Sequence, residues 1–133
     1  MKKNNAKKKI IVVDDNADVI YSVKTGLKSV SSDYEITGAN SGKECLELLK
    51  SQAPDIILLD IMMPGMDGWD VCAKIKSNKK TESIPIVFLT AKTDPISKGM
   101  GRLASADYIE KPFDVKDLKE RIDSIVKKKG NLH

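Results

Sequence analysis

The chain has 133 residues, 41% hydrophobic and 32% charged, the balance of one globular domain long enough to bury a two-sided core. No apolar stretch approaches the roughly 20 residues that span a bilayer, and the run Ile10–Val13 behind the lysine-rich start is too short for a signal-peptide core, so a cytoplasmic location without membrane partners is expected. The net charge of +4 sits in the ends: setting aside five lysines within residues 1–9 and three at 127–129 leaves −4, so a nucleic-acid role would rest on tails without aromatic residues for stacking and is not expected.

Four short apolar runs each end at a polar residue of a different kind. Ile10 to Val13 leads into Asp14 and Asp15, after which Val19, Val23, Leu27 and Val30 recur at helical spacing. Tyr34 to Ala39 reads as a weaker strand. Ser41 with Glu44 has the form of a capping box, opening a helix that carries Cys45, Leu48 and Leu49. Ile56 to Leu59 runs into Asp60, followed by a loop rich in proline and glycine as far as Gly68. A helix is expected over 69–78, with Val71, Cys72 and Ile75 inside and Trp69 packing at its start, while Asp67 and Gly68 serve the turn. Ile86 to Leu89 stops at Thr90, and Pro95 then suits a first helical turn with Ile96, Met100 and Leu103 on one face. Tyr108 to Glu110 leads to Lys111 and Pro112, and Asp114 reads as the N-cap of a last helix bearing Val115, Leu118, Ile122 and Ile125. This alternation of five strands and five helices predicts an α/β fold with a parallel doubly wound sheet. The domain is expected over residues 9–129, between a basic tail, 1–8, and a short tail, 130–133.

Strands that run apolar throughout suit burial on both faces of a parallel sheet. All such strands point one way, so the residues just past their ends meet at one edge, where open α/β sheets bind ligands. Asp14, Asp15, Asp60, Thr90 and Lys111 would then share one small site of three carboxylates, a hydroxyl and an ammonium. In outline that is a magnesium-phosphoryl site. The single histidine is His133, which excludes a histidine triad, a multi-histidine zinc site and an internal phosphohistidine relay. Cys45 and Cys72 read as buried thiols, not a disulfide.

Taken together, Asp14-Asp15, Asp60 with Met63-Pro64-Gly65-Met66-Asp67-Gly68, Thr90-Ala91, and Tyr108-Ile109-Glu110-Lys111-Pro112-Phe113 resemble the receiver domains of two-component response regulators. The resemblance is to the chemotaxis-regulator type and covers roughly Lys9 to Lys128. It implies a flavodoxin-like sheet of order 2-1-3-4-5 and a signalling phosphoacceptor that catalyses only its own phosphorylation and dephosphorylation. Asp60 would attack a phosphoryl group to form an acyl phosphate. Two negative groups repel, so a cation is needed between them, magnesium with manganese as a substitute. The family pattern makes Asp15 the direct ligand, Asp14 a ligand or a partner through water, and the Met62 backbone carbonyl a further ligand. Lys111 and the Thr90 hydroxyl would stabilise the phosphoryl oxygens. In the family the peptide before the matching proline, here Pro112, is cis and aims the lysine inward.

The resemblance also implies a switch in which Thr90 moves toward the phosphoryl group and Tyr108 rotates into the vacated space, changing a face formed by the fourth helix, fifth strand and fifth helix. Ala104-Ser105-Ala106-Asp107 departs from the usual Gly-Ala-Asp-Asp, which shifts the expected end of the fourth helix. With no output domain in its length, the chain is expected to stand alone, taking phosphate from a sensor histidine kinase or phosphotransfer protein and signalling to a downstream protein. Asp107, Asp117 and Arg121, with Lys98 or Arg102, resemble contacts of a phosphorylation-dependent homodimer; the competing reading is solvated surface charge. The alternative function is a small magnesium-dependent phosphohydrolase of the haloacid dehalogenase type. Its signature places the nucleophile and a second aspartate two apart after the first strand, followed closely by threonine. Here Asn16 and Ala17 follow Asp15, and Ile61 and Met62 follow Asp60.

Overall fold

The computed structural model describes residues 7–91 and 107–130. Strands β1 (Lys8–Val13), β2 (Tyr34–Ala39), β3 (Ile56–Asp60), β4 (Ile86–Ala91) and β5 (Asp107–Lys111) form one parallel sheet in the order β2-β1-β3-β4-β5. The described helices are α1 (Ala17–Val30), α2 (Gly42–Leu48), α3 (Gly68–Lys76) and α4 (Val115–Gly130). The helix expected after Thr90, with Pro95, Ile96, Met100 and Leu103, lies outside the described residues, as do Lys98, Arg102 and Ala104–Ala106.

Side chains alternate across a strand, and the sheet is covered on both sides, so each apolar run feeds two cores. Ile11, Val13, Ile57, Leu59 and Phe88 pack with Cys45, Trp69, Val71 and Ile75 beneath α2 and α3. Ile10, Val12, Ile56, Leu58, Val87 and Leu89 pack with Val23, Leu27, Leu118 and Ile122 beneath α1 and α4. Trp69 stacks at a tilt on Phe88, ring centroids 4.5 Å apart, which gives it the packing role expected. Cys45 is buried in its helix, Cys72 is partly buried, and neither is in a disulfide. Burial pushes the Cys45 thiol up to about 12.

Three details differ from the pattern-based reading. In α1 the buried stripe is Ile20, Val23 and Leu27, whereas Val30, the last residue of the helix, is 42% exposed. At α2 the Ser41 hydroxyl accepts from Glu44 N at 3.1 Å, but Glu44 Oε1 accepts from Asn40 N at 2.6 Å, one residue before the cap. The reciprocal capping box belongs to α3, where Asp67 and Asp70 each accept from the other's backbone N–H. Finally, β1 opens at Lys8, whose N–H donates to Asp33 O at 2.8 Å.

One carboxylate ties the start of the sheet to α4. Asp123 accepts from Tyr34 Oη at 2.7 Å, Lys8 Nζ at 3.0 Å and Lys119 Nζ at 2.6 Å. Burial works against its ionisation, but the three hydrogen bonds outweigh it and hold the carboxyl below the usual range.

Candidate phosphoryl and metal site

At the carboxyl end of the sheet the chain delivers one chemical group from each of four strands. Asp14 follows β1 and is 1% exposed; Asp60 closes β3 at 4%; Thr90 lies in β4 at 5%. Lys111 ends β5, and the register sets Ala91 opposite it and Glu110 opposite Thr90. Asp15 is exposed beside them. The first helix is anchored at the same place: Asn16 N donates to Asp14 Oδ1 at 2.9 Å, and the Asn16 side chain caps α1 by accepting from Asp18 N.

The three carboxylates converge, with one oxygen from each of Asp14, Asp15 and Asp60 lying within 4.8 Å of the others. Lys111 Nζ bridges two of them, at 2.8 Å from Asp14 Oδ2 and 3.2 Å from Asp60 Oδ1. Burial, and then the Asp14 charge, push Asp60 up to about 6 even though Lys111 pulls the other way. Burial alone would lower the Lys111 pKa, but its contacts with Asp14 and Asp60 prevail and raise it. A donor set of carboxylate oxygens, without thiolate or imidazole, fits a hard divalent ion such as magnesium or manganese. The Lys111–Pro112 peptide is cis.

The loop after Asp60 is held by two glycines for different reasons. Gly65 adopts φ +77°, the left-handed region open to glycine. Gly68 lies so close to the strand end that a Cβ there would meet Asp60 O at 2.4 Å and Ile61 Cα at 2.8 Å, and its N–H donates to Ile61 O at 2.8 Å. Met62 sits in this loop two residues past Asp60, its side chain 48% exposed. Sequence reasoning gave Asn16 and Gly68 no part in the site. The Asp-Asp-Asn run before a helix was a readable capping signal for the first, whereas the close backbone approach of the second carries no local mark.

The remaining expected residues gather on one side. Tyr108 pairs with Phe88 in the register and is 47% exposed. Asp107, Tyr108, Asp117 and Arg121 line a common groove between β5 and α4. Arg121 is engaged within the chain, donating from Nη1 to Tyr108 O at 3.0 Å.

The family model described as response regulator receiver domain matches residues 10–123. A curated relative from Vibrio cholerae, named probable cyclic di-GMP phosphodiesterase, is 40% identical over 121 residues, which are 90% of this chain and 27% of that protein. Another, named probable transcriptional regulator ycf27, from Porphyridium aerugineum, is 37% identical over 92% of this chain and 49% of its own length. The chain thus spans half or less of the length of these two relatives. Among solved structures, a CheY-like response regulator receiver domain protein from Methanospirillum hungatei is 43% identical, covers 92% of this chain and 97% of its own, and superposes with a TM-score of 0.80.

Proposed function

This chain belongs to the response regulator receiver family of two-component signalling, and we propose that it accepts a phosphoryl group on Asp60 in a magnesium-dependent reaction. The observation that carries this reading is the Lys111 ammonium bridging Asp14 and Asp60 beside a third carboxylate, Asp15. In this reading the receiver domain is residues 9–129.

Asp14, Asp15, Asp60 and the Met62 carbonyl would hold the ion, which supplies the positive charge that lets a carboxylate approach a phosphoryl group. Asp60 attacks phosphorus with a carboxylate oxygen. As that O–P bond forms, the bond from phosphorus to the donor's leaving group breaks, and the leaving group departs with the electron pair. Lys111 keeps its charge throughout, and its Nζ, already within 3.2 Å of Asp60, stabilises the oxygens of the transferring group. The Thr90 hydroxyl donates a hydrogen bond to one of them. Burial of Asp14 and Asp60 strengthens these interactions by excluding water.

The donor is a sensor histidine kinase or a phosphotransfer protein. Thr90 then carries the change to Tyr108, and the face around β5 and α4 signals to a partner protein. A phosphorylation-dependent homodimer through Asp107, Asp117 and Arg121 would have to share the Arg121 guanidinium with Tyr108 O, to which it already donates. The hydrolase alternative lacks support, because its signature puts a second aspartate two residues after the nucleophile, whereas Asn16, Ala17 and Met62 stand two residues after Asp14, Asp15 and Asp60. The test is chemical: the adduct formed from acetyl phosphate should be released by neutral hydroxylamine, as an acyl phosphate is, and Asp15→Ala should lose magnesium binding and labelling together. A hydroxylamine-stable adduct would overturn the assignment.

A further inference from the structure

We propose that the end of the sheet opposite Asp60 is a lysine surface that docks on an anionic lipid surface. The charge separation follows from the topology. All five strands run one way, so the described helices run back, and each of them starts at the end where Asp60 lies. First helical turns favour acids and last turns favour bases. Here Asp18, Glu44, Asp70 and Asp117 stand in first turns, and Lys28, Lys74 and Lys76 in last turns. Because the helices share one direction, these preferences add across the molecule.

The count bears this out for the strand starts, helix ends and the loops 31–33, 49–55 and 77–85 that join them. Ten lysines with described side chains meet six carboxylates there, with Asp123 of α4 reaching Lys8 as a seventh, while three lysines meet ten carboxylates at the opposite end. The basic end is more than its tails. Lys28, Lys50 and Lys80 come from helix ends and loops, and they are exposed, as are Lys7, Lys9 and Lys127. A recess between loops 49–55 and 77–85 is lined by Lys50 and Lys80. Both ends of the described chain leave from this side, β1 starting at Lys8 and α4 finishing at Gly130.

The residue types select the partner. Recognition of nucleic acid favours the bidentate fork of arginine and exposed aromatic rings. The one arginine among the described residues, Arg121, is spent on Tyr108 O, and Tyr34, at the start of β2, is 3% exposed. Lysine ammoniums act as point charges that need no fixed geometry, which suits a fluid anionic headgroup layer. Val30, 42% exposed at the end of α1, offers this end a small apolar contact. No helix among the described residues is long and apolar enough to cross a membrane, so the domain would lie on the surface. The acidic end is repelled by the same layer, which turns Asp60 toward solution.

Co-sedimentation of the full chain with vesicles tests this, comparing phosphatidylcholine alone with phosphatidylcholine containing phosphatidylserine. Binding should require phosphatidylserine and fall as salt is raised to physiological strength. The triple substitution Lys7→Gln, Lys9→Gln and Lys80→Gln should weaken it about a hundredfold, with an unchanged thermal melt showing that the fold is intact. Binding to neither vesicle, equal binding to both, or no loss in the triple variant overturns the proposal. Tighter binding to DNA of equal phosphate concentration overturns it in favour of a nucleic-acid partner.

Discussion

The Lys111 ammonium reaches Asp14 Oδ2 at 2.8 Å across 97 residues of sequence. The same nitrogen lies 3.2 Å from Asp60, so one cation serves two carboxylates that are 1% and 4% exposed. Burial first, and then the Asp14 charge that this one ammonium does not cancel, push Asp60 up to about 6.

Asp60 should destabilise the metal-free protein at neutral pH. An ordinary aspartate titrates near 3.9, so above pH 6 the folded state holds an ionised carboxylate in a place that disfavours it. The cost begins to fall below about pH 6 and is gone only near the ordinary aspartate value, because between the two the folded state takes up a proton that the unfolded chain does not. Urea melts in chelator should show the protein gaining stability from pH 7 to pH 5. Asp60→Asn should be more stable at pH 7 by roughly 1–3 kcal/mol and lack that rise. Equal stability of the two proteins at pH 7 would refute the raised pKa.

Removing Lys111 should tighten magnesium binding. An ammonium offers no lone pair to a metal and repels one nearby. Lys111→Ala, titrated calorimetrically at pH 8 where Asp60 is ionised, should bind magnesium severalfold more tightly while its phosphorylated form fails to engage the partner. Weaker binding by a well-folded variant would contradict the assigned roles.

The glycine pair after Asp60 should separate two costs. Gly68→Ala drives a Cβ against the backbone of Asp60 and Ile61, neither of which can move aside alone. It should cost about 1–3 kcal/mol and slow phosphorylation by displacing Asp60. Gly65→Ala meets open space, so it should cost about 1–2 kcal/mol from its left-handed backbone and leave phosphorylation nearly unchanged. Equal loss of phosphorylation in both would show that the loop fails as a whole.

Asp123 should set the acid limit of stability. Its pKa is held low in the fold, so its contribution is present above the usual aspartate range and is lost as pH falls through the folded value. Asp123→Asn should cost about 1–3 kcal/mol at pH 7 and melt with a shallower dependence on pH below 4. A variant as stable as the parent at pH 7 would show that Lys8, Lys119 and Tyr34 find equivalent partners in water.

Much of this was legible in the sequence for one physical reason. A strand buried on both faces must be apolar throughout, so the first polar residue after it marks the sheet edge, which is how Asp14, Asp60 and Thr90 could be read as neighbours; Lys111 ends an edge strand that is largely exposed and follows Glu110. The strand order and the switch pair came from family resemblance, since periodicity cannot order parallel strands. What escaped is tertiary. Ile20 lies inward, and Val30, at the last position of α1, does not. The approach of Gly68 to Asp60 O, the three donors on Asp123, and the Arg121 contact with Tyr108 O each join positions whose proximity only the folded chain creates.

Intact-mass measurement after incubation with acetyl phosphate tests the central claim most directly. With magnesium, the protein should gain the mass of one phosphoryl group, and it should gain none in excess chelator or in Asp60→Asn. A gain that persists in Asp60→Asn, or that proceeds equally well in chelator, would contradict the account.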